Sequence, residues 1–312
     1  MKAVILAGGM VSPARVALVT GATGFIGGRL VRSLLADGWE THAIVRPSSN
    51  ATTLRDVLGS SNVHEHDGST SGLINIVGSV HPLVVFHLAS AVITDYVAVD
   101  IEPLIRSNIL FGTQLLEAMA VAGVSVIVST GTISQHYEGR NYSPVYLYSA
   151  TKQAFQDILQ FYCEARGLRA VTLELPDTYG PGDRRPKLLT LLAGAARTGE
   201  TLALTPGDQF LDLLHVDDVV HGYEVAADGL LTGHLPSPSQ YRLSSGSLVR
   251  LKDVVELYRE ATRQTVNVAW GGRPYRVREV MESRSPVPVL PGWTPSRSLA
   301  AWLAESTEHT TK

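Results

Sequence analysis

The sequence contains the glycine pattern Gly21-x-x-Gly24-x-x-Gly27, which is compatible with few folds. It follows an apolar run of strand length, residues 15–20, and precedes residues 28–36, whose apolar side chains recur at helical spacing. In a strand–turn–helix unit the first glycine permits a tight turn, the second lets the backbone approach a pyrophosphate, and the third lets the helix pack against the strand. The helix N-terminus offers free N–H groups to the phosphates. The pattern therefore predicts a dinucleotide-binding fold.

Strand-like and helix-like segments alternate over the first 175 residues. The predicted strands are residues 15–20, 41–45, 84–88, 124–128 and 170–175, and the predicted helices are residues 28–36, 108–121 and 149–165. This alternation indicates an α/β fold, a Rossmann-type doubly wound parallel sheet with helices on both faces. After Pro176 glycine and proline become more frequent and the segments shorten. We therefore predict an N-terminal extension (1–13), a dinucleotide-binding Rossmann domain (14–178) and a smaller mixed substrate-binding lobe (179–312) with strands able to return to the main sheet.

Composition narrows the classes of protein that fit this chain. Hydrophobic residues make up 45% of the 312 residues and charged residues 18%, which is ample for a buried core. The formal net charge is −3 without a basic stripe, so neither a nucleic acid nor a membrane is an expected partner. The single cysteine, Cys163, excludes an internal disulfide framework and fits a cytoplasmic location. No cluster has metal-ligand spacing, so no metal is expected.

The end of the second predicted strand bears on the choice of cofactor. An acidic residue at this position would hydrogen-bond the ribose hydroxyls of NAD. This strand instead ends Val45-Arg46, followed by Ser48 and Ser49. The Arg46 guanidinium can pair with a 2′-phosphate and stack on adenine. The sequence therefore favours NADP(H), with NAD(H) as the alternative.

Four motifs occur in the order typical of the extended short-chain dehydrogenase/reductases. They are the glycine pattern, His87-Leu-Ala-Ser90, residues 108–116 and Tyr148-x-x-x-Lys152. The chain resembles this family from about residue 14 to residue 225. The family includes nucleotide-sugar epimerases, dehydratases and ketoreductases. The resemblance implies a nucleotide-linked sugar as substrate and a homodimer formed through the helices of residues 108–121 and 149–165.

The cofactor-binding residues are expected at the carboxyl ends of the strands and on the helix that carries the Tyr-x-x-x-Lys motif. They are Gly21, Thr23, Gly24, Phe25, Ile26, Gly27, Arg46, Asp67, Gly68, Leu88, Ala89, Ser90, Asn108, Tyr148, Lys152 and Pro176.

Tyr148 and Lys152 are the predicted acid–base pair. Residues four apart share a helix face, so the ammonium can lie near the phenol. A nearby cation favours the phenolate, and we expect it to lower the pKa of Tyr148 from its ordinary value near ~10. The resemblance implies that a hydroxyl at the end of the preceding strand completes the catalytic set. That hydroxyl is Thr130, with Thr132 as the alternative.

The residues after Thr130 bear on the reaction. Sugar 4,6-dehydratases of this family carry an Asp-Glu pair directly after the catalytic threonine, whereas this chain has Gly131 and Thr132. Residues 129–136, 146–155 and 177–181 resemble CDP-abequose and CDP-paratose synthases and related reductases of dTDP-4-keto-6-deoxyhexoses. The predicted substrate-binding residues are Thr132, His136, Asp177, Arg184, Arg185 and Lys187. Asp177 stands where many relatives have asparagine, which is a departure from the family pattern.

Three hypotheses of function follow. The first is NADPH-dependent reduction of the C4 ketone of a nucleotide-linked 4-keto-6-deoxyhexose. The second is an epimerase or dehydratase of the same fold that cycles a retained cofactor. The third is a dinucleotide-sensing protein without catalysis, against which the Tyr148/Lys152 pair argues because a sensor needs neither residue.

Overall fold

The computed structural model describes residues 15–308, and the predicted extension, residues 1–13, lies outside them. The strands are β1 (Val16–Thr20), β2 (Glu40–Val45), β3 (Val63–Glu65), β4 (Val84–His87), β5 (Val126–Thr132), β6 (Arg169–Leu175), β7 (Asp177–Tyr179), β8 (Leu202–Leu204), β9 (Phe210–His215), β10 (Ser239–Arg242), β11 (Leu248–Arg250) and β12 (Val268–Trp270). The α-helices are α1 (Phe25–Ala36), α2 (Thr52–Leu58), α3 (Thr70–Val80), α4 (Ile101–Ile105), α5 (Phe111–Ala122), α6 (Leu147–Arg166), α7 (Leu188–Thr198), α8 (Val216–Thr232), α9 (Leu251–Thr262) and α10 (Leu299–Glu308).

Seven of the strands in residues 15–308 form one parallel sheet in the order β10-β6-β5-β4-β1-β2-β3. One core lies between this sheet and α1, α2 and α8. A second core lies between the opposite face and α3, α5 and α6. The predicted doubly wound Rossmann-type sheet is therefore confirmed.

Strand alternation decides which way the side chains of β5 point. Val128 belongs to the core under α1 and α8, and Ile127 belongs to the core under α5 and α6. Because successive residues of a strand face opposite sides, Thr130 shares the α1/α8 side with Val128.

The residues after 178 contribute to two parts of the molecule. β10 pairs with β6 at the edge of the main sheet, and α8 packs on β5 and β6. β7, β9 and β11 form a three-stranded sheet, and β8 pairs with β12. A third core joins these short strands to α7, α9 and α10. One strand from this part of the chain thus lies in the main sheet, and the division into domains at residue 178 stays a prediction.

The helix predicted over residues 108–121 begins earlier than expected. α4 starts at Ile101, and a π-helical turn, Arg106–Leu110, joins it to α5. Pro103 lies in the first turn of α4, where a missing N–H removes no intrahelical bond. The π-turn carries the buried Asn108, and such turns occur frequently at functional sites. None of the helices in the described part of the chain combines the length and the apolar character needed to cross a bilayer.

Candidate active site

The predicted cofactor residues lie together at the carboxyl edge of the main sheet. Residues 21–24 join β1 to α1, residues 25–27 form the first turn of α1, residues 88–90 follow β4, and Pro176 follows β6. Parallel strands end at a common edge, so segments far apart in sequence become neighbours there. A ligand groove at this edge is the usual place of dinucleotide binding in such sheets.

The glycine turn has no room for side chains. Gly21 has a φ of +73°, and a Cβ on it would lie 2.7 Å from the backbone nitrogen of Ala89. A Cβ on Gly27 would lie 2.2 Å from the carbonyl oxygen of Gly21. Gly24, the residue before α1, has no side chain to cap the helix, so the N–H groups of the first turn face the groove uncapped. This cradle fits the pyrophosphate of a dinucleotide, with Thr23, Phe25 and Ile26 beside it.

Arg46 and Asp67 follow the neighbouring strands β2 and β3. Arg46 is exposed and makes no ion pair with any residue from 15 to 308. Asp67 accepts hydrogen bonds from the backbone N–H and the hydroxyl of Ser69, both at 2.8 Å, which lower the pKa of its carboxyl. Next to it, the carbonyl of Gly68 accepts a hydrogen bond from Gln114. Arg46 thus has its charge free for a ligand, whereas Asp67 is engaged at the start of α3.

Asn108 connects the loop after β4 to α6. Its Oδ1 accepts hydrogen bonds from Ser90 Oγ at 3.0 Å and Ala91 N at 2.8 Å. Its Nδ2 donates to the carbonyl oxygen of Ala91 at 3.0 Å and to Thr151 Oγ1 at 2.9 Å. Thr151 directly precedes Lys152. Because protein groups occupy both ends of its amide, Asn108 holds the loop after β4 against α6, and its contact with the cofactor stays a prediction.

Tyr148 and Lys152 are both buried on α6. Burial raises the pKa of Tyr148 to about 12, against the effect of a hydrogen bond with Ser90. Burial lowers the pKa of Lys152 to about 8. The expected lowering of the pKa of Tyr148 is therefore wrong, because desolvation outweighs the groups that favour the phenolate. Tyr148 rests as a neutral phenol that holds a proton to donate.

His87 lies at the end of β4, within electrostatic reach of Lys152. Its Nδ1 lies 2.9 Å from Thr20 Oγ1, and its ring packs against Phe111 and Phe155. Burial, followed by the charge of Lys152, lowers the pKa of His87 to about 3. His87 is therefore neutral at physiological pH and adds no second positive charge beside Lys152.

The two candidate threonines have different partners. Thr130 Oγ1 donates a hydrogen bond to the carbonyl oxygen of His87 at 2.9 Å and lies 2.5 Å from the hydroxyl of Tyr223. Thr132 Oγ1 lies 2.9 Å from Ser134 Oγ, which lies 2.7 Å from Ser149 Oγ. Sequence reasoning missed Tyr223, since it lies on α8 and only folding brings it to the end of β5.

Residues 177–187 form a charged loop next to the glycine turn. Lys187 Nζ donates to Asp177 Oδ1 at 2.8 Å, and both side chains remain partly exposed. The Arg185 guanidinium bonds with Asp183 and stacks over the ring of Phe25 at 4.5 Å. Arg184 is exposed and pairs with no acid in the part of the chain described. Arg185 thus anchors the loop on α1, and Arg184 is its free cation.

His136 is predicted to contact the substrate, but its imidazole is buried and both of its ring nitrogens have partners within the protein. Its Nε2 lies 2.9 Å from Glu174 Oε1, and its Nδ1 lies 3.0 Å from the carbonyl oxygen of Arg140. Ser285 donates a hydrogen bond to the other carboxylate oxygen of Glu174 at 3.2 Å. The bond with Glu174 raises the pKa of His136 although burial opposes it. Both ring nitrogens are taken, so His136 links the loop after β5 to β6.

Arg276 is a further residue that the sequence did not single out. It lies in the loop after β12 and binds Asp95 with two nitrogen–oxygen contacts of 3.1 and 2.8 Å. Its guanidinium lies 3.5 Å from the hydroxyl of Tyr146, the N-cap residue directly before α6. Arg276 therefore joins the loop after β12 to the loop after β4, beside the start of α6. The only sequence signal was the concentration of arginine in residues 273–278.

Residues 15–308 contain no group of three or more His, Cys, Asp or Glu side chains arranged to hold a metal ion.

The chain is similar to known proteins in sequence and in fold. The model of the NAD dependent epimerase/dehydratase family matches residues 17–234. The chain is 26% identical to the CDP-abequose synthase of Salmonella muenchen over 90% of this chain and 93% of that protein. It is 28% identical to the UDP-glucose 4-epimerase of Mycolicibacterium smegmatis over 93% and 97% of the two chains. The structure of MoeE5 in complex with UDP-glucose and NAD superposes with a TM-score of 0.77 at 27% identity, covering 95% of this chain and 98% of that one.

Proposed function

This chain belongs to the NAD-dependent epimerase/dehydratase family, and we propose that it uses NADPH to reduce the C4 ketone of a nucleotide-linked 4-keto-6-deoxyhexose. The family match and relatives that span most of the chain indicate a nucleotide-sugar-modifying enzyme. The side chains of the site support the choice of reaction and cofactor.

The observation that carries the proposal is the buried, neutral phenol of Tyr148 one helical turn from Lys152. When bound, NADPH supplies the hydride that forms the new C–H bond at the ketone carbon. Tyr148 donates its proton to the ketone oxygen, which becomes the hydroxyl of the product. Lys152 and the N-terminus of α6 stabilise the phenolate that remains. A general acid with a raised pKa stays protonated until the oxygen becomes basic enough to take the proton.

Arg46 supports the choice of NADPH over NADH. It stands where an acid would bind the ribose hydroxyls of NAD, and its exposed guanidinium has no competing ion pair in the described chain. The 2′-phosphate of NADPH would form an ion pair with this guanidinium.

Gly131 argues against dehydration. A Cβ on this residue would lie 3.1 Å from both Thr172 Cγ2 and Glu174 Cγ and 3.2 Å from Gln135 Oε1. The strand end is therefore packed around a glycine, with no acid at the position that a dehydratase uses. Glu174 is nearby, but it is fully buried and bonded to His136 and Ser285, so it is not available as an acid or base.

An epimerase is the second candidate, favoured by the similarity to a UDP-glucose 4-epimerase. It would use the same Tyr148 and Lys152, but it would return the hydride to the sugar. The difference is therefore visible in the cofactor balance, because a reductase consumes NADPH and an epimerase does not.

For substrate binding we assign Arg184, Lys187 and Asp177 to the nucleotide-sugar, with Arg184 as the free cation for its diphosphate. We also propose a homodimer in the cytoplasm. Large apolar side chains are exposed on the helices expected to form its interface. They are Leu110, Val121 and Phe161.

The test is to incubate the protein with NADPH and a panel of nucleotide-linked hexoses, both intact and 4-keto, and to identify the products by NMR. We expect a 4-hydroxy-6-deoxy sugar from a 4-keto substrate and no change in intact sugars. A 4-keto-6-deoxy product from an intact NDP-glucose would show dehydration, and a C4 epimer would show epimerisation. Either result would overturn the proposal.

A further inference from the structure

The hydroxyl of Tyr223 lies in the interior, at the side of Thr130. Tyr223 is fully buried on α8, and its ring packs edge-on against Phe86 at 6.4 Å between centroids. Its hydroxyl has a 2.5 Å contact with Thr130 Oγ1. Burial raises the pKa of Tyr223 against the effect of the hydrogen bond with Thr130, and the neighbouring Tyr148 phenol raises it as well, so its hydroxyl keeps its proton. Three hydroxyl groups, those of Thr130, Tyr148 and Tyr223, therefore belong to one neighbourhood.

The donors and acceptors in this contact can be assigned. A threonine hydroxyl has one proton and can accept two hydrogen bonds. The proton of Thr130 goes to the carbonyl oxygen of His87, so Thr130 accepts the proton of Tyr223. The chain of donation therefore runs from Tyr223 through Thr130 to His87.

Only the hydrogen bond from Thr130 to the carbonyl oxygen of His87 needs to change when a substrate binds. The Thr130 oxygen is held by Tyr223, and rotation about its Cβ–Oγ bond can turn the proton from His87 to a substrate oxygen. Donation from Tyr223 polarises the Thr130 hydroxyl, because hydrogen bonds in a chain strengthen one another.

We propose that Tyr223 is a positioning residue of the reaction, fixing the Thr130 hydroxyl and strengthening its hydrogen bond to the oxygen at sugar C4. This inference rests on the proposed function, since it concerns an oxygen that gains a proton. It extends the site to α8, beyond the strand ends and the catalytic helix.

The experiment compares Tyr223→Phe, Thr130→Val and the double variant. Tyr223→Phe keeps the ring and removes only the hydroxyl. We expect kcat to fall about tenfold, as for one lost hydrogen bond, with KM and the Kd for NADPH unchanged. Because Tyr223 acts through Thr130, the double variant should be no slower than Thr130→Val. Full kcat in Tyr223→Phe, or multiplicative losses in the double variant, would overturn the inference.

Tyr258→Phe is the matched control. Tyr258 is also buried and donates one hydrogen bond, to Gln264 at 3.0 Å, but it lies in the core of α9 and away from the site. It should lose stability and keep kcat. An equal loss of kcat in Tyr258→Phe would mean that the effect of Tyr223→Phe is structural, and it would overturn the inference.

A second cycle needs no substrate. The denaturant midpoint of the unliganded protein should fall in Tyr223→Phe. The midpoint of the double variant should be no lower than that of Thr130→Val, because Thr130→Val already leaves the Tyr223 hydroxyl without its partner. Additive losses would show that the two hydroxyls are not paired and would overturn the inference. Absence of turnover by the unmodified protein on every 4-keto sugar counts against the proposed function, and this stability cycle still decides the pairing.

Discussion

Tyr148 and Lys152 lie one helical turn apart on α6, and burial shifts their pKa values in opposite directions. The pKa of Tyr148 rises to about 12 and that of Lys152 falls to about 8. Both shifts favour the neutral form of the group, because burial destabilises a charged side chain that has no partner of opposite charge. Proton donation by Tyr148 would create a phenolate and give the Lys152 ammonium a counter-charge.

Tyr148→Phe should lower turnover by about 10²–10⁴, which is the usual contribution of a positioned acid–base group. The Kd for NADPH should stay nearly constant, because the glycine turn and the N-terminus of α1 bind most of the dinucleotide. Steady-state kinetics and fluorescence titration of NADPH measure the two effects. Full activity in this variant would mean that another group donates the proton.

Lys152→Met should separate activity from stability. Turnover should fall and NADPH should bind more weakly, because the ammonium would neighbour both the phenolate and the nicotinamide ribose. The unliganded variant should nevertheless be more stable at neutral pH, by on the order of 1–3 kcal/mol, since it no longer buries an unpaired charge.

The pH dependence of stability gives the sign of the Lys152 effect. The pKa of Lys152 is lowered from 10.5 to about 8 in the folded protein, so between these values the unfolded chain binds more protons. The free energy of unfolding should therefore rise with pH from about 8 to 10.5, with the full penalty present below pH 8. Urea unfolding at several pH values should show this rise in the unmodified protein and a smaller one in Lys152→Met. The same slope in both would rule out Lys152 as its source.

Thr130→Val should lower turnover and leave NADPH affinity nearly unchanged, whereas Thr132→Val should be milder. The Thr130 hydroxyl forms hydrogen bonds with the carbonyl oxygen of His87 and the hydroxyl of Tyr223, while the Thr132 hydroxyl bonds to that of Ser134. Comparing kcat for the two variants under identical conditions checks the assignment. Greater damage from Thr132→Val would move the catalytic hydroxyl two residues along the chain.

Arg46→Asp should weaken NADPH binding and improve NADH binding. The change removes the partner of the 2′-phosphate and places there an acid that can bind ribose hydroxyls. Competitive titration with the two cofactors gives the ratio of Kd values. Equal affinities in the unmodified protein would remove the argument for NADPH.

Much of the fold followed from local patterns in the sequence. The glycine turn, the strand β1 before it and the helix α1 after it are local features, and the apolar periods of α6 and β6 were readable for the same reason. The strand ends placed Arg46, Thr130 and Asp177 at one edge, because parallel strands share it.

The remaining parts of the site depend on contacts between distant residues. Tyr223 lies 93 positions from Thr130, and nothing near it in sequence indicates the partner. His136 resembled a loop residue facing the sugar, but Glu174 and the carbonyl of Arg140 bind its ring in the interior. The pKa of Tyr148 was predicted in the wrong direction. A spacing of four residues on a helix predicts that Lys152 is a neighbour, but it does not indicate that both side chains are buried.

Reduction of the sugar ketone by NADPH can be tested by following the transfer of hydrogen from NADPH to the sugar. NADPH carrying deuterium at both C4 positions is incubated with the protein and a nucleotide-linked 4-keto-6-deoxyhexose, and the product is examined by mass spectrometry and NMR. We expect one deuterium at sugar C4 and one NADPH oxidised for each sugar reduced. A product without deuterium at C4, formed with no net oxidation of NADPH, would contradict it.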